Sequence, residues 1–207
     1  MPDRRVIAGA AVAASVLLAG CSGDGQATQS SAPTPTTAVS TAPPPTSTKP
    51  ALPTHGAPKV AVPLDATRLL ADPCAALSPQ TIQTLDMAPA GKPDLDGIGG
   101  PNCEWGGASL RLTFMKVNAN GLSDYYRGRQ AGEFPGRWDE TFVGGYPGVF
   151  KDGGTHSDSD GACNLTIGLS DTLPALISLL GVRGPGKCDA SAVRVAEGLI
   201  STLKGGR

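Results

Sequence analysis

The sequence lacks an excess of charge of either sign, because its 207 residues include 17 lysines and arginines and 18 aspartates and glutamates. Nucleic acids are bound mainly by clustered positive charge, so we expect no nucleic-acid partner. Histidine is scarce, with two residues, and aromatic residues make up 4% of the chain. We expect no phosphate-cradling loop of the G-x-x-x-x-G-K or G-x-G-x-x-G type, and we interpret the glycines as turn residues. The sequence therefore predicts no cofactor.

A hydrophobic run long enough to span a membrane is also missing. Val6–Ala19 is uncharged and largely apolar, but its 14 residues fall short of the roughly 20 that a membrane helix needs. The run follows Arg4 and Arg5 and ends in Leu18-Ala19-Gly20-Cys21, the pattern of a bacterial lipobox. The sequence therefore predicts a signal peptide at residues 1–20 and a mature chain that begins with a lipid on Cys21.

Residues 21–62 differ in composition from the rest of the chain. After Cys21 this stretch contains eight prolines, eight threonines and three charged residues, with few large apolar side chains. Such a segment cannot bury enough surface to offset its ordering entropy, so we predict a disordered tether. Its Ser/Thr/Pro content also fits an O-glycosylated stalk, with an unmodified linker as the alternative. Tether and lipid together predict a protein held on the extracytoplasmic face of the cell membrane.

Residues 63–207 have the size of one folded domain. Ser78-Pro79 predicts the start of a short helix, and Leu110–Phe114 alternates as a half-buried strand does. We predict helices at Leu122–Gln130, from Thr172 to Leu180 and from about Asp189 onward, and further strands at residues 141–143, 149–151 and 163–169. Residues 91–100 are predicted to be a loop. Helices near both ends and strands between them indicate an α+β fold with an antiparallel sheet.

Four cysteines remain after Cys21 is set aside, at positions 74, 103, 163 and 188. An even number in an exported domain predicts two disulfides, and the absence of a C-x-x-C pair argues against structural zinc. Three pairings are available to four cysteines. We favour Cys74–Cys103 with Cys163–Cys188, because each of these bonds ties the start of a helix to a neighbouring strand.

The motifs assembled so far are similar to those of an actinobacterial lipoprotein family, domain of unknown function 3558. The similarity lies in Asp72-Pro73-Cys74 followed by Leu77-Ser78-Pro79, in Cys103-Glu104-Trp105, in Gly145-Tyr146-Pro147, and in the cysteines at 163 and 188. It extends over most of residues 72–203, besides the lipobox and the tether. The resemblance implies a mycobacterial-type cell envelope, and it implies no reaction and no catalytic residues.

Candidate chemical groups are few, so we predict that the protein is not an enzyme. His55 lies in the predicted tether and His156 lies in a polar turn, without a G-x-S-x-G nucleophile motif nearby. The segment His156–Gly161 imitates the first half of a calcium loop. It has histidine in place of the first aspartate, however, and Ile167 at the twelfth position. We predict no metal site there, and we interpret Asp94 and Asp96 as part of a solvated loop.

The sequence favours a binding or interaction module with an unknown protein, glycan or small-ligand partner. A small-ligand or lipid carrier, which needs an apolar cavity, and a cryptic hydrolase, which needs a buried carboxylate beside a cleft, are the alternatives. Seven of the nine aromatic residues lie in one stretch, residues 125–150. Because Tyr, Trp and Arg are enriched at binding hot spots, we predict an interaction patch at Tyr126, Arg129 and Trp138. The competing interpretation is that these rings belong to the core, which we expect for Phe142 and Phe150.

The lipid anchor generates the first testable prediction. Replacing Cys21 with alanine removes the thiol that would accept the diacylglyceryl group, so we expect no incorporation of labelled fatty acid and loss of the protein from the membrane fraction. Metabolic labelling followed by fractionation measures both effects. Continued labelling of the Cys21→Ala chain would show that the anchor assignment is wrong.

Overall fold

Seven antiparallel strands form one sheet, in the order β1-β2-β3-β7-β6-β5-β4. The computed structural model describes residues 50–107, 109–152, 161–184 and 186–205. The strands are Lys92–Asp94 (β1), Asn102–Trp105 (β2), Leu110–Phe114 (β3), Trp138–Val143 (β4), Tyr146–Lys151 (β5), Cys163–Gly168 (β6) and Pro174–Leu179 (β7). The helices are Thr67–Ala71 (α1), Pro79–Gln83 (α2), Leu122–Gln130 (α3) and Lys187–Leu203 (α4), and a 3₁₀ turn spans Pro73–Ala76. The predicted α+β class with an antiparallel sheet is confirmed.

One face of the sheet, here called the core face, carries the main hydrophobic core. Alternate residues of the central strands point to it and are fully buried, namely Leu110, Leu112, Phe114, Leu165, Ile167, Ala175, Ile177 and Leu179. Helix α4 packs across β6 and β7 on this side, with the apolar stripe Ala192, Val195, Ala196 and Leu199 inward. The 3.6-residue period of that stripe is what the sequence predicts for a helix with one buried side.

Both predicted disulfides are present, and both lie on the core face. Cys74, in the 3₁₀ turn, is bonded to Cys103 of β2, and Cys163 of β6 is bonded to Cys188 in the first turn of α4. The bonds therefore fasten the helical elements at the two ends of the domain to separate strands of the sheet.

Local signals locate several elements correctly. Ser78 caps α2 because its Oγ accepts a hydrogen bond from the amide of Thr81 at 3.1 Å. Helix α3 has the predicted bounds. It begins after Gly121, whose φ of 60° and close approach to the carbonyl of Asp171 leave no room for a Cβ atom.

The prediction of a helix from Thr172 to Leu180 is wrong, because these residues form strand β7. Ala175, Ile177 and Leu179 are buried on the core face, whereas Leu176 and Ser178 point to the opposite face and are half-buried. Pro174 begins the strand, a position at which proline costs no ladder hydrogen bond, rather than the first turn of a helix. A short apolar run between breakers does not distinguish a central strand from a buried helix.

The expectation of a loop over residues 91–100 is wrong in part. Lys92–Asp94 forms the edge strand β1, which pairs with β2 from Lys92↔Glu104 to Asp94↔Asn102. Three exposed residues that include a proline carry no strand signal in sequence, although proline is common on sheet edges.

The last residues of the predicted tether pack against the domain. The amide of Thr54 donates to Ser123 Oγ at 2.8 Å, and the amide of Val60 donates to Asp171 Oδ1 at 2.9 Å. Val60 itself is 2% exposed. The folded unit therefore includes residues that composition assigned to the tether. Within the ranges listed above, helices long and apolar enough to cross a bilayer do not occur.

The disulfides generate the second prediction. Replacing Cys163 and Cys188 together with serine frees a loop of 25 residues, and the matching pair at 74 and 103 frees 29. Each double variant should lose about 3–4 kcal/mol of unfolding free energy in urea titrations, because the unfolded chain gains entropy. The similar loop lengths make each variant the control for the other. A loss below about 1 kcal/mol, or four free thiols by intact mass, would contradict this account.

Candidate functional site

The interaction patch predicted from sequence is brought together by α3, which lies on the second face of the sheet. The ring of Tyr126 packs edge-on against Trp138 of β4, with 5.1 Å between centroids, and the guanidinium of Arg129 lies 5.8 Å from the Trp138 ring. Tyr126 is buried, Trp138 is half-buried and Arg129 is exposed. Arg129 also donates to the backbone carbonyl of Phe134.

These rings belong to a small hydrophobic core between α3 and the sheet, here called the α3 cluster. It consists of Ala57, Leu122, Tyr125 and Tyr126, with Phe134 and Trp138 packed against them. Tyr126 is therefore a packing residue, and only Arg129 and part of Trp138 are accessible to a partner. The expectation that Phe142 and Phe150 belong to the core is confirmed for Phe150, which is buried in the main core. It is wrong for Phe142, which is 65% exposed on the edge strand.

A lysine lies under the α3 cluster. Lys151 Nζ is 4.8 Å from the ring centroid of Tyr125 and 4.7 Å from that of Phe134. Burial lowers the pKa of Lys151 to about 8, and the neighbouring carboxylate of Asp152 opposes this shift. Burial also raises the pKa of Tyr125 above its usual value. The charged lysine is thus held by two aromatic faces in place of water.

Helix α3 covers only part of the second face, over β4, β5 and β6. The other part, over β1, β2, β3 and β7, forms a concavity of about 270 Å³, here called the sheet groove. Its polar lining consists of Asp94, Asn102, Glu104, Arg111, Thr113 and Ser178. Ile98, Met115 and Leu176 add apolar surface.

Strand register sorts the groove residues into two rows across the sheet. In one row Lys92, Glu104, Arg111, Ser178 and Asn164 follow one another from β1 to β6. Arg111 Nε donates to Glu104 Oε1 at 2.7 Å, and Ser178 Oγ donates to Asn164 Oδ1 at 2.7 Å. The polar side chains of this row therefore hold one another in place.

The neighbouring row consists of Asp94, Asn102, Thr113 and Leu176. Asn102 is 4% exposed, and its Nδ2 makes one long hydrogen bond, 3.5 Å, to the carbonyl of Gly100. Within the described part of the chain, Asn102 Oδ1 is buried and accepts no hydrogen bond. A buried acceptor in this state costs about 1–3 kcal/mol. Such a group is therefore unexpected in a surface that only keeps the fold soluble.

The loop before β2 keeps this amide at the groove. A Cβ atom at Gly97 would lie 2.0 Å from Asn102 Nδ2, so only glycine lets the loop approach so closely. The next residue along the loop, Ile98, is fully exposed, as is most of Val117, whose amide donates to the carbonyl of Gly99 at 3.2 Å. The loop therefore places apolar side chains beside the polar floor.

A second concavity, of about 330 Å³, lies between α4 and the loop after α2. Leu85, Met87 and Val182 contribute to it, together with Lys187 and Arg194. None of the four buried polar side-chain atoms found without partners in the described ranges belongs to a residue of its lining. Besides Asn102 Oδ1, these atoms belong to Tyr125, Tyr126 and Thr166, so the sheet groove shares this feature with the α3 cluster, and the second concavity lacks it.

The loop from Gly181 to Lys187 has the G-x-x-x-x-G-K spacing of a phosphate loop, between strand β7 and helix α4. Cys188 occupies the place of the serine or threonine that such loops use for Mg²⁺, and it is bonded to Cys163. The amide of Lys187 donates to the carbonyl of Gly184. The match in spacing therefore does not support a nucleotide site.

The other residues singled out in the sequence fall partly inside and partly outside the ranges that the structure describes. Cys21, His156 and most of the calcium-like segment lie outside the described residues. Asp94 Oδ1 accepts from the amide of Asp96 at 3.1 Å in an exposed turn. Among the residues that the structure describes, no three histidine, cysteine, aspartate or glutamate side chains are grouped as metal ligands would be.

Comparison with known proteins gives one match. A family model described as a protein of unknown function, DUF3558, matches residues 16–202, which is most of the chain. Neither the curated proteins nor the solved structures gave a match.

Lys151 generates the third prediction. Between pH 8 and 10 the unfolded chain, whose lysine has an ordinary pKa near 10.4, binds more protons than the folded chain. Stability should therefore rise with pH in this window. We expect Lys151→Met to remove about 1–2 kcal/mol of that rise between pH 7.5 and 9.5, measured by urea unfolding.

Lys204→Met is the matched control, because Lys204 Nζ lies 5.0 Å from the Tyr146 ring centroid but the side chain is exposed. We expect this variant to keep the pH dependence of the unaltered protein. Equal slopes for Lys151→Met and the unaltered chain would contradict the assignment.

Proposed function

The chain belongs to the family of proteins of unknown function DUF3558. We propose that it is a lipid-anchored cell-envelope protein whose folded unit binds a ligand in the sheet groove. The lipobox at Cys21, the composition of the following tether and the resemblance to an actinobacterial lipoprotein family support the anchor. A location on the extracytoplasmic face of the membrane follows from that anchor. The two disulfides are typical of an oxidising compartment outside the cytoplasm.

One observation carries the binding role. The uncovered strands present a concave floor of polar side chains, among them Asn102, whose buried Oδ1 accepts no hydrogen bond within the described residues. Surfaces that serve only solubility are dominated by exposed charged groups that water satisfies, and they do not need buried polar atoms. Because Oδ1 is buried, a ligand in the groove would pair with it only after the Asn102 side chain shifts, and that pairing would remove the cost of leaving the oxygen without a partner.

The carrier alternative receives less support. A carrier for lipid needs an apolar cavity, but the large side chains on the core face interdigitate with α4 and are fully buried there. The lining of the sheet groove includes three apolar residues, Ile98, Met115 and Leu176, but most of its residues are polar. Its chemistry therefore suits a polar ligand better than an acyl chain.

A binding role also fits the described ionisable groups better than catalysis does. The four domain cysteines are disulfide-bonded, and His55 lies at the surface with Nδ1 3.2 Å from Gln130 Oε1. Burial opposes ionisation of Asp124, but hydrogen bonds from Asn120 and Arg127 lower the pKa of this carboxyl overall. A general acid needs the opposite shift.

The fourth prediction tests ligand binding. The chain from Ser22 to Arg207, prepared without lipid, contains every residue that the structure describes. Cell-envelope extract is separated into carbohydrate, lipid and protein fractions, and the melting temperature is measured with each. A ligand present at a hundred times its Kd should raise Tm by roughly 5–10 °C.

Ser178→Trp fills the floor of the groove and should abolish the increase. Arg127→Trp, at an exposed position on α3, is the matched control and should keep it. If no fraction raises Tm, or if Ser178→Trp melts normally and keeps the full increase, the groove is not the binding surface.

A further inference from the structure

The lining of the sheet groove holds two negative side chains and one positive, and Lys92, the strand neighbour of Glu104, brings the sum to zero. Lys92 and Arg111 are positive, Asp94 and Glu104 are negative, and Arg111 is already paired with Glu104. A surface of this kind exerts no net attraction on a polyanion or a polycation. The groove is therefore matched to a neutral ligand.

Four of the six hydrogen-bonding groups that line the groove are planar and present at least two polar atoms each. An amide at Asn102, a guanidinium at Arg111 and carboxylates at Asp94 and Glu104 surround the hydroxyls of Thr113 and Ser178. Planar groups of this kind can bind two adjacent ligand atoms at once. Adjacent hydroxyl groups, which both donate and accept, are the chemical complement of such a surface.

Apolar side chains also line the groove: Leu176 stands in the same row as Asn102 and Thr113, and Ile98 and Met115 lie just outside the strands. Ile98 is fully exposed, and Met115 and Leu176 are half-buried. A ring with hydroxyl groups on its edge and C–H groups on its face can use both surfaces together. The volume of about 270 Å³ lies just below the roughly 300–1,000 Å³ of sites for drug-sized ligands. It suits one ring unit rather than an extended molecule.

We propose that the sheet groove binds a neutral saccharide unit, with ring hydroxyls on Asn102, Glu104 and Arg111 and the C–H face of the ring against Ile98 and Leu176. This inference rests on the proposed binding role and specifies its ligand. The unit is either a free sugar or a residue of an envelope glycan, and the two sources share the same chemistry.

The test is an NMR titration of the ¹⁵N-labelled chain from Ser22 to Arg207. Glucose, galactose, mannose, arabinose and N-acetylglucosamine are added separately, followed by the envelope polysaccharide fraction. We expect saturable shifts of the Asn102 side-chain amide and of the backbone amides of Arg111, Thr113 and Ser178. For a free sugar the Kd should be on the order of 1 mM, because one ring makes few contacts in an open groove.

Two exposed ion pairs provide a matched comparison. Arg111 is paired with Glu104 in the groove, and Arg127 is paired with Asp124 on α3; the arginine side chains are 52% and 59% exposed. Arg111→Met should weaken sugar binding roughly tenfold, as loss of a charge-assisted hydrogen bond would. Arg127→Met should leave it unchanged. Asn102→Leu should also lose binding, and its melting temperature reports whether it folds.

The outcomes separate this inference from the proposed function. Groove shifts with a free sugar or with the polysaccharide fraction support the saccharide, and comparison of the two identifies its source. If neither produces them, or if Arg111→Met binds as the unaltered chain does, the saccharide assignment is wrong. A lipid or protein fraction that raises Tm and is blocked by Ser178→Trp would then preserve the binding role while overturning the saccharide.

Discussion

Strand β7 pairs with both β3 and β6, and the integrity of the sheet depends on these two ladders. Strands β1–β3 form one antiparallel meander, β4–β6 form another, and β7 is the strand between them. Ala175, Ile177 and Leu179 are fully buried against α4 on the core face. Without β7, each meander would expose an edge of unpaired backbone groups and half of its hydrophobic face. The same strand contributes Leu176 and Ser178 to the second face, so the central ladder also forms part of the groove floor.

The sheet groove exists because one helix is too narrow to cover the whole second face of the sheet. Seven strands about 4.8 Å apart form a sheet roughly 29 Å wide, whereas a helix with its side chains is about 10 Å across. Helix α3 and the residues from Thr54 to Val60 therefore cover one end, over the last three strands of the order. On the uncovered strands, the polar side chains of the second face need hydrogen-bond or ion-pair partners other than a helix. The cross-strand row from Lys92 to Asn164 provides such partners, since Arg111 pairs with Glu104 and Ser178 donates to Asn164.

Sequence patterns located those elements whose signals are local. The cap at Ser78, the alternation from Leu110 to Phe114 and the bounds of α3 each depend on residues close together in the chain, and each is found in the structure. The disulfide pairing was also accessible, because cysteines near helix starts and strands leave few sensible connections. Strand β7 could not be predicted, because its apolar run also fits a buried helix. Only its pairing with β3 and β6 shows that the segment is a strand. Once Ser178 and Leu176 were assigned to a helix, the groove that they share with Arg111 and Thr113 could not be recognised.

The distribution of aromatic residues explains why the sequence predicts an interaction patch at α3. Large rings and arginines are common at binding hot spots, but they are also the side chains that best fill the gap between a short helix and a sheet. Tyr125, Tyr126 and Phe134 fill that gap here, and Lys151 is enclosed with them. Helix α3 has only nine residues, so few side chains are available to keep water out of the space between the helix and the sheet. Large aromatic rings fill that space with few residues. The aromatic-poor strands β1, β2, β3 and β7 have no such helix to hold. They present amide, guanidinium, carboxylate and hydroxyl groups instead, and these are the groups through which the proposed ligand would be bound.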